Sequence, residues 1–338
     1  MQKKGLLIGT GLTVVLGVGS ALSYGIAQSL VRMALEREPP AILHRLPLSG
    51  TPTETDRKKE RLLSHYADRL SRANCERVIL TARDGTRLVG HWYPCKSPQR
   101  VIVAMHGWRS AWNRDFGKIA EFWHKENCHV LFAEQRGQNE SGGDHMTFGY
   151  LERYDCADWL HWVAYAKSDR LPLYAAGISM GASTVLMASS LPLPKTVAGI
   201  IADCGFTSAE AIWRHVVQKN LHISYDLHRP LIDRLCQQAL QADIRHVTTQ
   251  DALRHTKLPI LFIHGSKDSF VPIEMTYDNY RACAAPKELL VVPHAGHGQS
   301  YYFEPEQYEA ALRRFWKQYD SLPFFTDFSC KRHGNMVY

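Results

Sequence analysis

The sequence predicts an α/β fold: a mostly parallel eight-stranded sheet flanked by helices, with a helical cap insertion and an N-terminal transmembrane helix. Three observations carry this. From residue 100 onward, short β-branched or apolar runs alternate with helix-length segments, a rhythm that calls for a parallel sheet covered on both faces. One connection, residues 206–258, is far longer than a plain crossover and has helical patterns of its own. A run at residues 5–31 has no ionisable side chain except Tyr24.

The whole chain sets the frame. Its 338 residues, 45% hydrophobic, suffice for one large α/β domain with accessory segments. The net charge of +7 comes from scattered lysines and arginines, with no basic block interleaved with aromatics. Nucleic acid is therefore not expected as a partner, and a weak attraction to anionic lipid or acidic substrates is. The eight cysteines (75, 95, 128, 156, 204, 236, 283 and 330) form no C-x-x-C pair and no zinc spacing. They read as buried thiols, although an even count permits disulfides in an oxidising compartment. No metal or cofactor is expected.

The N-terminal run follows Lys3 and Lys4 and is long enough to cross a bilayer core of about 30 Å as a helix. Residues 1–34 are expected to form a single-pass signal anchor at the cell membrane. A cleaved signal peptide is the competing reading, with Ser20, Ser23 and Ala27 as cleavage candidates, but the run outlasts the usual apolar region of about 7–15 residues. The lysines favour a cytoplasmic N-terminus and an extracytoplasmic catalytic domain, while Arg32, Arg37 and Arg45 follow closely on the other side.

Residues 35–72 are expected to be a linker and an amphipathic helix. Pro39, Pro40, Pro47 and Pro52 forbid a continuous helix early on, and residues 56–71 then carry a helical leucine pattern. The main domain, residues 73–320, opens with strands over 77–81 and 87–93 joined at Asp84-Gly85, a hairpin signal. Further strands are expected over 101–105, 130–133, 173–176, 197–202, 260–263 and 289–292. Helices are expected over 116–126, 151–166, 180–190, 273–282 and 305–316. The cap spans about 206–257, with helical patterns over 209–219 and 231–240, and residues 321–338 form a tail without interpretable period.

The chemistry centres on Gly177-Ile178-Ser179-Met180-Gly181, a G-x-S-x-G sequence at a strand-to-helix junction. A turn that tight crowds the residues flanking the serine, so glycines sit there and the hydroxyl stands exposed. A serine hydroxyl is a poor nucleophile until a base takes its proton. In strand–turn–helix hydrolases the chain order is nucleophile, acid, histidine. Asp268 follows the strand at 260–263, and two histidines, His294 and His297, follow the strand at 289–292. Gly296 and Gly298 favour His297 as the base, on a loop that can reach Ser179. Asp203, at the end of the strand 197–202, is the second candidate for the acid. The backbone N–H groups of Met180 and Trp108 are the expected oxyanion donors, and His106 is expected to order its own turn.

These motifs resemble bacterial α/β-hydrolases with an N-terminal membrane segment, described as serine-aminopeptidase-like or dipeptidyl-peptidase-like. The resemblance covers roughly residues 76–316. It rests on His106-Gly107-Trp108, the stretch 134–143, the elbow 177–181, the segment 203–208, and the loops 264–272 and 295–298. The family's usual D-x-R-G-x-G-x-S stretch is altered here, with Glu134 for the Asp and Asn139 for the second Gly. The resemblance implies the fold and the triad but no substrate.

The expectation is therefore a serine hydrolase acting on an ester or thioester of a small or acyl-chain substrate through an acyl-enzyme on Ser179. An amide-cleaving peptidase using the same residues is the alternative, and a non-catalytic membrane-bound binding module is a third reading. Trp213, Val216, Val217, Leu221 and Tyr225 of the cap either line an acyl pocket or pack the cap onto the domain. Oligomeric state is not legible.

Overall fold

The structure, a computed structural model, describes residues 20–38, 54–168 and 170–321. Helix α1 (residues 20–35) is followed by α2 (Glu54–Ser71). The hairpin β1 (Glu76–Thr81) and β2 (Arg87–Tyr93) turns at Asp84-Gly85, with Gly85 at φ +84° and the Thr86 N–H donating to the Asp84 carboxylate at 3.0 Å. Then come β3 (Arg100–Met105), α3 (Trp112–Phe116), α4 (Ile119–Lys125), β4 (Cys128–Ala133), α5 (Glu152–Trp162) and β5 (Leu173–Ile178). Next are α6 (Met180–Ala188), β6 (Val197–Asp203), α7 (Ala209–His215), α8 (Tyr225–Leu240), α9 (Thr249–His255) and β7 (Ile260–Gly265). The last elements are α10 (Ile273–Ala282), β8 (Lys287–Val292), α11 (Ser300–Phe303) and α12 (Pro305–Tyr319).

The eight strands form one sheet in the order β1-β2-β4-β3-β5-β6-β7-β8. Only the β1–β2 and β2–β4 pairings are antiparallel. Every residue of β3, β6 and β7 is buried, which is why these strands read as unbroken apolar runs rather than alternating ones. Along β3 the side chains divide: Val101, Val103 and Met105 enter the core beneath α5, α6 and α9, while Ile102 and Ala104 enter the core beneath α3, α4 and α12. The edge strand β1 is largely exposed and begins with Glu76 and Arg77, charges that discourage further strand pairing.

Three elements depart from the sequence reading. The helix expected over 116–126 is α4 alone, 119–125, and a further short helix, α3, precedes it on the other side of Gly117. A Cβ on Gly117 would lie 2.6 Å from the Asn113 carbonyl oxygen and 2.7 Å from the Tyr66 carbonyl carbon, so α2 crosses there in backbone contact. The helix expected to start at 231 starts at Tyr225 and runs through Pro230, because Tyr225 is buried in the cap core and anchors the extra turn. The cap excursion is closed by a bridge between Ser208 and Thr248, and α9 beyond it returns Leu253 to the sheet core.

The third departure is at the N-terminus. Among the described residues no helix is long and apolar enough to cross a membrane. Residues 1–19, most of the expected span, lie outside the described residues, as do residues 39–53 of the linker and the tail from 322. What is described of the expected anchor is α1, and it belongs to the globular domain. Ala27, Leu30, Val31 and Leu35 are buried in a third core shared with the cap and the start of α6, whereas Gln28 and Arg32 are exposed. That is the stripe of an amphipathic helix on a protein surface. The seven described cysteines are free thiols.

Candidate functional site

Sheet topology brings the site together at one edge. Met105 pairs with Gly177 across β3 and β5, Ile178 with Asp203 across β5 and β6, and Gly265 with Val292 across β7 and β8. The loops leaving β3, β5, β6, β7 and β8 therefore open side by side at the carboxyl ends of the strands.

Ser179 sits at φ +57°, ψ −118°, a strained conformation for a residue with a side chain. The flanking glycines are sterically obligatory. A Cβ on Gly177 would lie 2.2 Å from the Gly181 carbonyl oxygen, and one on Gly181 would lie 1.9 Å from that of Met105. The Ser179 N–H donates to the Asp203 carbonyl at 2.9 Å, pinning the turn to the neighbouring strand.

The Ser179 Oγ lies 2.9 Å from His297 Nε2, and His297 Nδ1 lies 2.7 Å from Asp268 Oδ2. The other carboxylate oxygen, Oδ1, accepts the N–H groups of Phe270 and Val271, each at 2.9 Å. Behind this, buried His264 places Nε2 2.9 Å from the Val271 carbonyl and 3.2 Å from Asp268 Oδ2, while its Nδ1 meets Thr276 Oγ1 at 2.7 Å. Burial alone would raise the Asp268 carboxyl, but the hydrogen bonds from His264 and His297 outweigh it and hold the group well below the usual carboxylate range. The acid loop and the histidine loop are laced together. The Lys267 N–H donates to the Ala295 carbonyl at 2.9 Å, and the His294 N–H donates to Ser266 Oγ at 2.9 Å.

Of the competing residues, His294 is exposed in a turn at φ +62°, bonded back to Ser266. Asp203 is buried, but its carboxylate is directed at Ser300 Oγ (3.1 Å) and Tyr308. Burial pushes it up to about 6, against the pull of His264. His106 is buried with Nδ1 2.8 Å from the Gly107 carbonyl, and its Nε2 accepts the Gln135 N–H at 3.1 Å. Burial pushes its pKa down, so it is a neutral strut for its turn. The Cys204 thiol lies within 4.8 Å of the nearest ligand atoms of Asp268 and His297, burial raises its pKa well above the ordinary thiol value, and Asp268 and His297 are bonded to one another.

The altered stretch 134–143 supports the β3 loop. Asn139 stands at φ +50°, where asparagine is the most tolerant residue after glycine, and its Nδ2 donates to the Ser110 carbonyl at 2.9 Å. Glu134 meets His91 Nε2 at 2.8 Å and accepts the Glu140 N–H at 2.6 Å. On the β3 loop itself, the Gly107 N–H donates to Asp115 at 2.7 Å, and a Cβ on Gly107 would lie 3.4 Å from the Ser179 Cβ.

Ser179 stands between two spaces. On one side is an apolar cavity under the cap, lined by Phe148, Phe206, Ile212, Trp213 and Phe270 among others. On the other is a more open cleft bordered by Lys58, Ser110, Asp115, His297 and Gln299. Trp213, Val216, Val217 and Tyr225 do line the cavity, and Leu221 is not part of its wall. The sequence reading missed that Leu30, Val31, Met33 and Ala34 of α1 also line it. The available signal was the i, i+3, i+4, i+8 stripe of Ala27, Leu30, Val31 and Leu35, with Arg32 and Glu36 forming an i, i+4 ion pair.

Comparison with known proteins adds the family. Residues 101–311 match the model of the alpha/beta hydrolase family. The uncharacterized protein YqkD of Bacillus subtilis is 23% identical over 186 residues, 55% of this chain and 61% of its own length. The uncharacterized protein YfhR of Salmonella typhimurium is 23% identical over 239 residues, 67% of this chain and 75% of its own. The alignment thus spans less than two thirds of YqkD. Among solved structures, the Pyrococcus furiosus esterase Pf2001 superposes with a TM-score of 0.62 at 22% identity, covering 75% of this chain and 94% of that one. The Pyrococcus horikoshii acylaminoacyl peptidase does so with a TM-score of 0.57 at 15% identity, covering 76% of this chain and 43% of that one. Identities this low speak for the fold alone, but the family model covers more than half of the sequence, and the chain belongs to the alpha/beta hydrolase family.

Proposed function

We propose that this protein is a serine hydrolase that cleaves carboxylic esters or thioesters with an apolar acyl group. The observation that carries the reading is the position of Ser179, bonded to His297 and lying between the apolar cavity and the open cleft. The acyl chain occupies the cavity and the leaving group lies in the cleft.

The geometry supports the following course of reaction. His297 Nδ1–H donates to Asp268, which leaves the lone pair of Nε2 directed at Ser179 Oγ. As Oγ bonds to the substrate carbonyl carbon, its proton passes to Nε2, and ionised Asp268 stabilises the imidazolium. The carbonyl oxygen becomes an oxyanion. We assign its donors to the backbone N–H groups of Met180, at the N-terminus of α6, and of Trp108, since the Gly107 N–H is already committed to Asp115. When the tetrahedral intermediate collapses, Nε2–H passes its proton to the leaving oxygen or sulfur. Water then enters from the cleft, loses a proton to His297 and releases the acid, restoring Ser179 Oγ–H.

Amide cleavage would use the same residues. The ester reading is preferred because, among the described residues, the cavity wall has no carboxylate or cation to hold a charged amine or side chain. Short nitrophenyl esters compared with aminoacyl anilides separate the two: esters are expected to turn over faster, and faster anilide turnover reverses the assignment. Failure of folded protein to label at Ser179 with a fluorophosphonate would favour a binding module instead.

Membrane attachment through the N-terminal apolar run remains part of the proposal, in shortened form. Residues from Ala27 onward are engaged with the cap, so a spanning segment would end before Ala27, which leaves residues 5–26 and meets the requirement of about 20 residues. We place the catalytic domain on the extracytoplasmic side. Retention in the membrane pellet after alkaline extraction is expected, and release into the supernatant would count against it.

A further inference from the structure

We propose that helix α1 is one wall of the acyl cavity and sets the length of acyl chain the protein accepts. The inference rests on the ester-hydrolase reading of Ser179. Leu30, Val31, Met33 and Ala34 line the same cavity as Ser179, together with Ile212 and Trp213 of the cap. The main domain supplies the reacting groups and α1 supplies part of the boundary.

The wall is fixed in place by the loop that carries the proposed oxyanion donor. The Trp108 indole N–H donates to the Ala34 carbonyl at 2.9 Å. The next residue, Arg109, donates to three more carbonyls at the end of the helix: Met33 at 2.9 Å, Glu36 at 2.5 Å and Arg37 at 2.9 Å. The carbonyls of a last helical turn lack intrahelical partners, and a cation there also meets the negative end of the helix dipole. A further tie comes from the Met146 N–H, which donates to the Leu35 carbonyl at 2.8 Å. The wall and the reaction centre are therefore joined through two consecutive residues, Trp108 and Arg109. A surface helix with a passive role would have no need of that join.

Each methylene that enters an apolar site favours binding by about fourfold. A wall that stops the chain therefore produces a break in the dependence of kcat/KM on acyl length, and moving the wall moves the break. Ala34→Trp places an indole in the cavity and shortens it, and Ala34→Ile is a milder change of the same sign. Leu30→Ala lengthens it.

The test uses the full chain and nitrophenyl esters from acetate to decanoate, with fluorophosphonate labelling of Ser179 to count folded active sites. Ala34→Trp is expected to lower the octanoate-to-acetate ratio of kcat/KM at least tenfold, Ala34→Ile to lower it less, and Leu30→Ala to raise it. Ratios within twofold of wild type in variants that still label overturn the inference while leaving the hydrolase reading intact. Should wild type label at Ser179 but hydrolyse none of these esters, the substrate reading fails. The wall is then read by the labelling rates of ethyl and dodecyl fluorophosphonates. A tenfold or greater relative slowing of the dodecyl probe in Ala34→Trp supports the wall, and an equal change for both probes refutes it. Absence of labelling in folded wild type defeats both readings.

Discussion

Replacing Asp268 by asparagine tests the assignment of the acid more sharply than removing it. Oδ1 accepts two backbone N–H groups, from Phe270 and Val271. An asparagine side chain will keep its oxygen there, which forces the Nδ2 amide into the position of Oδ2, facing His297 Nδ1 and His264 Nε2. A donor opposite Nδ1 requires Nδ1 to accept, so the ring proton moves to Nε2. There it blocks acceptance of the Ser179 proton. The variant keeps its shape and loses the base. An exchange of this kind in a serine triad costs about 10⁴-fold in kcat, or about 5.4 kcal/mol. Steady-state hydrolysis of nitrophenyl acetate, with circular dichroism to verify folding, measures it. Asp203→Asn is the control: it is expected to retain activity within about tenfold, because its carboxylate is bonded to Ser300 and Tyr308. The reasoning is refuted if Asp268→Asn stays within tenfold of wild type while Asp203→Asn collapses.

Three further outcomes are expected. Gly181→Ala drives a Cβ to 1.9 Å from the Met105 carbonyl oxygen and should yield insoluble protein or a loss above about 4 kcal/mol, whereas Gly25→Ala, with nothing within 4 Å in α1, should stabilise by about 0.5–1 kcal/mol. Thermal melts distinguish them, and equal effects would undo the close-approach argument. Asn139→Ala loses the bond to the Ser110 carbonyl and strains a backbone at φ +50°, for a cost of about 2–3 kcal/mol in urea unfolding, with Asn139→Gly about 1 kcal/mol milder. Finally, the folded Asp203 carboxyl at about 6 lies above its ordinary 3.8, so the fold prefers its neutral form. The stability this confers is complete below about pH 4 and is lost as pH rises through 6, a change of roughly 3 kcal/mol for a fully buried group. Asp203→Asn should therefore gain on wild type between pH 4 and pH 8, and parallel stability curves would contradict this.

What the sequence disclosed and what it withheld divide along physical lines. Strands such as β3 and β7 were legible because a strand buried on both faces is apolar over most of its length, here Val101–Met105 and Ile260–Ile263. The elbow was legible because its glycines answer to contacts made within five residues and with one neighbouring strand. The order Ser179, Asp268, His297 could be read from the loops after β5, β7 and β8, and Asp268 could be preferred to Asp203 on that order, while the direction of each carboxylate is visible only in the structure. Other features depend on partners distant in sequence. Gly117 has no room for a side chain because the Tyr66 backbone crosses it, a contact that no local pattern records. Helix α8 starts at Tyr225, six residues before the expected pattern at 231–240, because Tyr225 is buried in the cap core. The N-terminal helix is the instructive case. Lipid and a protein core ask for the same residues, so Leu30 and Val31 read as membrane-facing until the structure put them beside the cavity. The exposed Gln28 and Arg32 carried the contrary signal.

The central claim is that Ser179 carries an acyl group during turnover. Acid quenching of the protein during hydrolysis of a nitrophenyl ester, followed by proteolysis and mass spectrometry, tests it directly. The account predicts a peptide containing Ser179 heavier by the mass of the acyl group, absent in Ser179→Ala and accumulating in a variant slowed at deacylation. Turnover with no adduct, or with the adduct on another residue, would contradict it.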